Sequence, residues 1–232
     1  IPPRPWSQIN VYNLVTRRNL LISSSAFALT SCGTSPVWQN AYDVVRFMTM
    51  GMPDVEITRE IIDKIPYASI SAKIGRGPRS ILILGRYDGE DLHWLSADNA
   101  TVITRSGRVV KTAGFPENMK ATNYLGDDPV SRDLHKLSES RAFSRSIDLD
   151  KGKLYGLVLD SRFVSQGEHV ITIAGINLKT ILVEEITSAR NLNWNFSNFY
   201  WADKIDGFVW KSVQHIARGF PPVEIEVLKP AA

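Results

Sequence analysis

Histidines and a pair of adjacent glutamates are the side chains whose types would suit metal binding or hydrolysis. The four histidines are separated by 34 to 46 residues: His93, His135, His169 and His215. None of them has a histidine or cysteine at the short spacing typical of a zinc site, so the sequence predicts no metal. Glu184 and Glu185 are consecutive in a predicted strand and point to opposite faces, so these two alone cannot form a glycosidase pair. Carboxylates from distant strands could still converge.

Aromatic residues, concentrated between positions 194 and 210, offer a second kind of chemistry. The set comprises Trp94, Trp194, Phe196, Phe199, Tyr200, Trp201 and Trp210. Such side chains could stack on sugar rings or fill a core, where each large aromatic buries roughly 150 to 250 Å². Strand alternation places Tyr200 and Trp201 on opposite faces, so at most one points inward. We favour core filling for each of them, and Trp194, which stands among asparagines, is the first candidate for a surface position.

The segment Gly75-Arg76-Gly77-Pro78-Arg79-Ser80 resembles half of a phosphate-binding loop. It leads into a predicted strand and not into a helix N-terminus, and Pro78 lacks a backbone donor. We therefore interpret it as a basic hairpin turn, in which Arg76 and Arg79 could contact acidic sugars or lipid headgroups. Together with Trp194 and Trp201, these arginines are the candidate glycan or partner surface. The sequence contains no Gly-x-Ser-x-Gly motif, and we identify no catalytic residue in it.

The chain's only cysteine, Cys32, ends a segment with the features of an export signal. Arg17-Arg18 is followed by the short apolar run of residues 20–29. Ten residues rise about 15 Å as a helix, half the hydrocarbon thickness of a bilayer, which favours a cleaved signal over a membrane span. Leu29-Thr30-Ser31-Cys32 resembles the lipobox of bacterial lipoproteins, in which the cysteine is acylated and becomes the first mature residue. A lone thiol in an exported protein would otherwise face an oxidising compartment.

The lipobox resemblance implies a membrane partner, held through palmitate-type acyl chains on Cys32. Each buried CH2 of such a chain contributes roughly 0.8 kcal/mol. Gly33 stands where an aspartate favours inner-membrane retention, which implies sorting to the outer membrane. Residues 16–21 also resemble a twin-arginine signal, so Sec and twin-arginine export both stay open. No methionine precedes Met48, and we expect residues 1 to about 14 to lie upstream of the true start.

Charge and composition narrow the class of partner. The chain has 27 basic and 24 acidic residues, with 44% apolar and 22% charged residues, which is typical of a packed globular protein. Residues 1–31 contain Arg4, Arg17 and Arg18 and no acidic residue, so the remaining chain has 27 − 3 = 24 basic and 24 acidic residues. A neutral body offers no basic patch for phosphates, which argues against a nucleic-acid partner.

Helices are predicted only near the start of the mature chain. We expect one within residues 33–52 and a short one from Thr58 to Lys64, with Thr58 as N-cap and Pro66 ending it. The predicted domains are an export signal (1–31), a lipidated N-terminus with linker and helix (32–52), and one barrel-like domain (53–232).

After Pro66 the apolar pattern changes to a period of two, with turn dipeptides every 8 to 12 residues, which predicts an antiparallel meander. The predicted strands are 80–87, 91–96, 101–105, 108–113, 143–149, 154–163, 169–174, 178–187, 198–204, 207–216 and 223–228. Residues 115–141 are predicted to be irregular, with one helical turn near Ser131 to Leu137. About ten or eleven strands favour an all-β barrel or a strongly curved sheet, because either arrangement removes exposed edges.

Segments along the mature chain resemble, in the same order, the YjbF family of lipoproteins, which is related to the group 4 capsule lipoproteins of enterobacteria. They are IPYAS (65–69), WLSADNA (94–100), TRSGRVVKT (104–112), YWAD (200–203) with Gly207 and Trp210, and PVE (222–224) with Lys229-Pro230. The resemblance implies an outer-membrane lipoprotein with a barrel-like fold. It also implies a place among envelope proteins needed for exopolysaccharide or capsule production, with no catalytic residues and no cofactor.

Three functions therefore stay open from the sequence. The first is a non-enzymatic, lipid-anchored accessory in polysaccharide production or export, with polysaccharide and other envelope export proteins as partners. The second is a lipid-anchored carrier of a hydrophobic ligand, because a barrel of about ten strands can enclose a cavity. The third is a periplasmic glycan-active enzyme.

Overall fold

The computed structural model describes residues 57–131 and 133–231, and these residues form twelve strands, one five-residue helix and short 3-10 turns. The helix α1 spans Arg59–Asp63. The strands are β1 (Ser69–Ile74), β2 (Arg79–Asp88), β3 (Asp91–Leu95), β4 (Thr101–Arg105), β5 (Arg108–Ala113), β6 (Met119–Tyr124), β7 (Arg141–Leu149), β8 (Leu154–Ile173), β9 (Ile176–Ala189), β10 (Trp194–Asp203), β11 (Val209–Gln214) and β12 (Val223–Lys229).

All twelve strands belong to one antiparallel sheet, in the order β5-β4-β3-β2-β1-β12-β11-β10-β9-β8-β7-β6. The two edge strands, β5 and β6, are consecutive in the chain and are joined by side chains. Thr112 Oγ1 accepts from the Met119 N–H at 3.0 Å, and Thr122 Oγ1 donates to the Val110 carbonyl at 2.9 Å. The sheet is thus a nearly closed barrel, and the predicted all-β meander is confirmed.

The connections of this barrel alternate between its two ends. Ser69 at the start of β1 pairs with Lys229 at the end of β12, so both strands meet the same end, which we call the terminal end. The β2–β3, β4–β5, β6–β7, β8–β9 and β10–β11 connections lie there as well. The remaining connections lie at the opposite end, where the Gly75 N–H bonds the Pro222 carbonyl at 3.0 Å and links the β1–β2 turn to the β11–β12 loop.

The interior of the barrel is layered: a polar layer separates two apolar ones. Along β9 the inward positions are Val183, Glu185, Thr187 and Ala189, all buried. Val183 packs in the apolar cluster nearer the terminal end: Val130, Leu134, Phe143, Phe163, Val183, Tyr200, Ala202 and Val209. Ala189 packs in the larger apolar cluster, which includes Trp94, Met119, Ile147, Leu159, Trp194 and Ile216.

Strands β8 and β9 are longer than the barrel and continue as a hairpin arm, residues 165–181. A β-bulge between Ser165 and Gly167 marks where the arm begins. Ile173, near its tip, is buried against Ile62 of α1 and Leu228 of β12. The arm and α1 therefore share a small apolar cluster on the outer wall of the barrel.

The strand predictions are confirmed for most elements, and β4 and β5 match the predicted bounds. Two strands were not predicted: β1, and β6 within the segment expected to be irregular. The predicted strands 154–163 and 169–174 are in fact one strand of 20 residues, because a bulge accommodates Gln166 as an extra residue and pairing with β9 resumes at Gly167. The expected helical turn near Ser131 to Leu137 is a pair of 3-10 turns, Pro129–Ser131 and Leu134–Lys136.

Helix α1 confirms the predicted helix at Thr58 to Lys64, although the Thr58 side chain makes no capping hydrogen bond. The export signal, Cys32 and the helix expected within residues 33–52 lie outside the described residues. Within residues 57–131 and 133–231, no helix has the length and apolarity needed to span a bilayer.

Candidate functional site

Four charged side chains lie in the polar layer, each exposing at most 3% of its surface: Arg108, Asp128, Arg145 and Glu185. Arg108 binds Asp128 with two hydrogen bonds, from Nε to Oδ2 at 2.5 Å and from Nη2 to Oδ1 at 2.9 Å. Its Nη1 also donates to Glu185 Oε2 at 2.9 Å. Arg145 Nη1 donates to the second Glu185 oxygen, Oε1. The cluster therefore balances two positive against two negative charges.

Neutral side chains complete the hydrogen bonds of Glu185. Tyr200 Oη donates to Glu185 Oε2 at 3.0 Å, and Asn198 Nδ2 donates to the same oxygen at 2.8 Å. Burial by itself would raise the pKa of the Glu185 carboxyl, but the positive charges of Arg108 and Arg145 outweigh burial and hold that pKa well below its usual range. Burial raises the pKa of the Tyr200 phenol well above its usual value.

This arrangement fixes the protonation states of Glu185 and Tyr200 near neutral pH. Glu185 stays ionised and Tyr200 stays protonated, so neither can exchange a proton as a general acid or base needs to do. Asp128 and Glu185 are carboxylates from distant parts of the chain that do converge, yet their oxygens are bonded to arginines. A buried ionic cluster of this kind ties strands across the barrel.

A cavity of about 420 Å³ lies beside this cluster at the terminal end. Its inner walls are apolar, with Ile70 from β1, Trp94 from β3 and Ile225 from β12. The indole N–H of Trp94 donates to Thr104 Oγ1 at 2.8 Å, so the Trp94 donor is satisfied within the wall. The mouth is more polar, with exposed Ser106, Ser131, Asp133 and Asp206 beside Phe208. The volume falls within the range of small-molecule pockets.

The ionic cluster positions one wall of this cavity, and Gln214 positions another. Asp128 Oδ1 also accepts from the Val130 N–H at 3.0 Å, and Val130 lines the cavity. On the other side, Gln214 from β11 binds the β4–β5 hairpin: its Nε2 donates to the Gly107 carbonyl at 2.8 Å and its Oε1 accepts from the Val109 N–H at 3.0 Å. Gly107 is thereby held directly against Val209 at the start of β11.

The predicted surface residues are not brought together. Arg76 is exposed in the β1–β2 turn at the opposite end. Arg79 binds Glu224 at 2.5 Å and Glu226 at 2.9 Å on the outer wall, which leaves its guanidinium committed to these carboxylates. Trp201 is partly exposed on the outer wall, where Lys211 Nζ lies 5.6 Å from the centroid of its ring.

Trp194, the first candidate of the aromatic set for a surface position, lies in the core, so that suggestion is wrong. Trp194 is 7% exposed and stacks on Phe196 with ring centroids 4.3 Å apart in the larger apolar cluster. It occupies an inward position at the start of β10, so its asparagine neighbours take the other orientations. The core-filling interpretation is confirmed for Trp94, Trp194 and Tyr200, and Tyr200 points inward while Trp201 points outward, as alternation predicts.

Of the charged residues in the polar layer, sequence reasoning considered only Glu185, as half of a glycosidase pair that it rejected, and it missed Arg108, Asp128 and Arg145. Glu185 lies at an inward position between buried Val183 and Thr187, so strand alternation could have marked it as a buried charge. The prediction that Glu184 and Glu185 face opposite ways is confirmed, since Glu184 accepts from Ser197 Oγ at 2.7 Å outside the polar layer. In the part of the chain that the structure describes, no three His, Cys, Asp or Glu side chains are grouped as a metal site.

One protein family and two known lipoproteins are similar in sequence to this chain. A family described as group 4 capsule polysaccharide lipoprotein GfcB, YjbF matches residues 39–228. The uncharacterized lipoprotein GfcB of Escherichia coli K12 is 31% identical over 209 residues, covering 89% of this chain and 97% of GfcB. The uncharacterized lipoprotein YjbF of the same strain is 25% identical over 182 residues, covering 78% of this chain and 84% of YjbF.

A solved structure shares the barrel as well. The crystal structure of the hypothetical lipoprotein YmcC from E. coli K12 superimposes with a TM-score of 0.69 and 25% sequence identity. The match covers 87% of this chain and 99% of YmcC. Sequence and fold lead to one assignment, and the chain belongs to the family of group 4 capsule polysaccharide lipoproteins that includes GfcB and YjbF.

Proposed function

We propose that this protein is a non-enzymatic lipoprotein of the outer membrane that assists the production or export of a capsule or exopolysaccharide. The observation that carries the proposal is the family match, which covers residues 39–228 and so starts seven residues after Cys32. In the proposed mature protein residues 1–31 are removed and acyl chains on Cys32 hold the barrel at the membrane, facing the periplasm.

The chemistry of the barrel supports an accessory role over a catalytic one. Its converging carboxylates, Asp128 and Glu185, are each bound to Arg108 and shielded from solvent. A glycosidase needs one carboxyl group that gives up and regains its proton near the working pH, and Glu185 is held ionised. The barrel would then act through its surface, by holding a polysaccharide or an export protein near the membrane.

The test of the proposed function is a deletion strain complemented with wild type or with Cys32→Ala. We expect loss of surface polysaccharide in the deletion, recovery with wild type and no recovery with Cys32→Ala, because an unacylated barrel leaves the membrane fraction. Membrane fractionation and polysaccharide staining give the two readouts. As the matched control, the same barrel is exported behind a signal without a lipobox, which separates loss of the anchor from loss of export. Unchanged polysaccharide in the deletion strain under inducing conditions would overturn the proposal.

A second candidate function, the carrying of a hydrophobic ligand, is favoured by the cavity at the terminal end. A ligand in this cavity would place an apolar group against Ile70 and Ile225 and a polar group at the mouth near Asp206.

Native mass spectrometry of the purified lipoprotein tests the carrier function. We expect a bound lipid-sized mass with wild type and its loss with Val227→Trp, because an indole in β12 would occupy the cavity that Val227 lines. Ile83→Trp is the matched control, since Ile83 is 39% exposed on the outer wall of β2. A wild-type spectrum without any bound mass, or one equally affected by both variants, would count against a carrier.

A further inference from the structure

Exposed large apolar side chains are distributed unequally between the two ends of the barrel. At the terminal end, Ile205 is 89% exposed, and four others are between 38 and 59% exposed: Tyr67, Tyr87, Leu125 and Phe208. At the opposite end there are two such side chains, Leu95 at the end of β3 (42% exposed) and Tyr155 near the start of β8 (69% exposed). The turns at that end also carry the exposed Arg76 and Arg218.

The five side chains lie at three separate places around the rim. Tyr67 lies two residues before β1, and Tyr87 lies near the end of the neighbouring strand β2. Leu125 follows β6, and Ile205 and Phe208 lie in the β10–β11 turn. The sheet order places strands between each of these positions. Three separate contacts around one rim define a plane across the end of the barrel, whereas a patch for a protein partner would be contiguous on one side.

The chain enters the barrel at this same end. Helix α1 packs on the outer wall through Ile62, which contacts Leu228 at the end of β12. Residues 33–56 join Cys32 to Ile57, so an anchor on Cys32 would be connected to the barrel at the terminal end.

We propose that the terminal end of the barrel rests on the leaflet that holds the acyl chains of Cys32, with the apolar rim residues in contact with lipid. The inference rests on the proposed anchor. Tyrosines and large aliphatic side chains are the residues that favour the membrane interface. The mouth of the cavity, which Phe208 lines, would then open toward the lipid.

The charges on the rim indicate which lipid surface fits. An acidic residue follows closely after an apolar one at each place: Asp88 after Tyr87, Asp127 after Leu125 and Asp206 after Ile205. Basic residues stand beside two of them, since Arg86 pairs with Asp88 at 3.0 Å and Lys204 precedes Ile205. With both signs present, the rim has no basic patch that would attract anionic headgroups, so the contact suits zwitterionic lipid and is apolar in origin. It should therefore persist at high salt.

The test uses acylated, full-length lipoprotein in phosphatidylcholine vesicles, with a fluorophore on a thiol introduced by Ile205→Cys. Because Cys32 is the only native cysteine and would be acylated, the label reports a single position. Lipids carrying a nitroxide on the acyl chain should quench this label about twofold or more relative to one on Arg218→Cys, at the opposite end. The quenching should remain in 0.5 M salt, about the condition at which exposed charge pairs are screened within 5 Å.

Flotation of the same vesicles distinguishes a failure of the rim contact from a failure of the acyl anchor. Protein that floats with the lipid while both labels are equally unquenched would overturn the rim contact and leave the anchor in place. Protein that does not float would overturn the anchor itself. Quenching at Ile205→Cys that disappears in high salt would show an electrostatic contact and contradict the apolar one. A second label, at Leu125→Cys, should be quenched as well, which shows that the lipid contact is not confined to the β10–β11 turn.

Discussion

Replacing Glu185 with alanine should lower the free energy of unfolding by about 3–5 kcal/mol. Glu185 is fully buried and accepts hydrogen bonds from Arg108 and Arg145. Its removal leaves two buried guanidinium groups and a single buried carboxylate, that of Asp128. Breaking a buried ion pair costs far more than the net value of the pair, because the remaining charge stays desolvated. Urea unfolding followed by tryptophan fluorescence measures the change.

The matched control for Glu185→Ala is Lys136→Ala. Lys136 Nζ pairs with Asp133 at 2.9 Å on the surface, and both side chains are mostly exposed. Its removal should change stability by less than about 1 kcal/mol. Similar losses for the two variants would show that the buried cluster contributes no more than a surface pair, which would contradict the role given to Glu185.

The same cluster should make the barrel sensitive to acid. The pKa of Glu185 is lower in the folded than in the unfolded chain, where it is about 4.3. Its stabilising contribution is therefore complete above that unfolded value and is lost as the pH falls toward the folded one. Wild type should lose stability between about pH 5 and pH 2 more steeply than Glu185→Ala in the same urea series. Parallel pH profiles would contradict this account.

The sequence predicted the barrel because alternation and turn chemistry are local signals. The β4–β5 hairpin was predicted with its observed bounds, since Ser106-Gly107 at its turn adopts the left-handed backbone that such a turn requires, with φ of 50° and 93°. Strand β6 was missed because its polar residues follow no clear alternation, and it is a strand through its pairing with β7. Tertiary pairing, which no local pattern contains, decided that element.

The candidate site could be predicted less well from the sequence, because its residues are distant along the chain. Arg108 and Glu185 are 77 residues apart, and each alone is typical of a solvated strand face. Only the closure of the barrel turns both inward and makes their pairing obligatory. The same reason explains the error on Trp194, whose polar neighbours suggested a surface although its own position faces the core.

Gly107→Ala should destabilise the barrel by about 2–4 kcal/mol, from two costs that add. The backbone φ of Gly107 is +93°, which is strained for any residue with a side chain. A Cβ at this position would also lie 2.6 Å from Val209 Cβ, a branched atom that has little freedom to move. This clash arises because Gln214 of β11 binds the β4–β5 hairpin. The hairpin and β11 together form one wall of the cavity.

Gly89→Ala separates the two costs. Gly89 in the β2–β3 turn has a φ of +60°, and no atom lies within 4 Å of the Cβ that alanine would add. This variant should lose only the backbone cost of about 1–2 kcal/mol. Val209→Gly should cost less in the Gly107→Ala background than in wild type, because it removes all three Val209 atoms that the added Cβ would meet, with a coupling of about 1 kcal/mol. Equal losses for the two glycines, or no coupling, would mean that the hairpin can move away from β11 and that the cavity wall is not held by this contact.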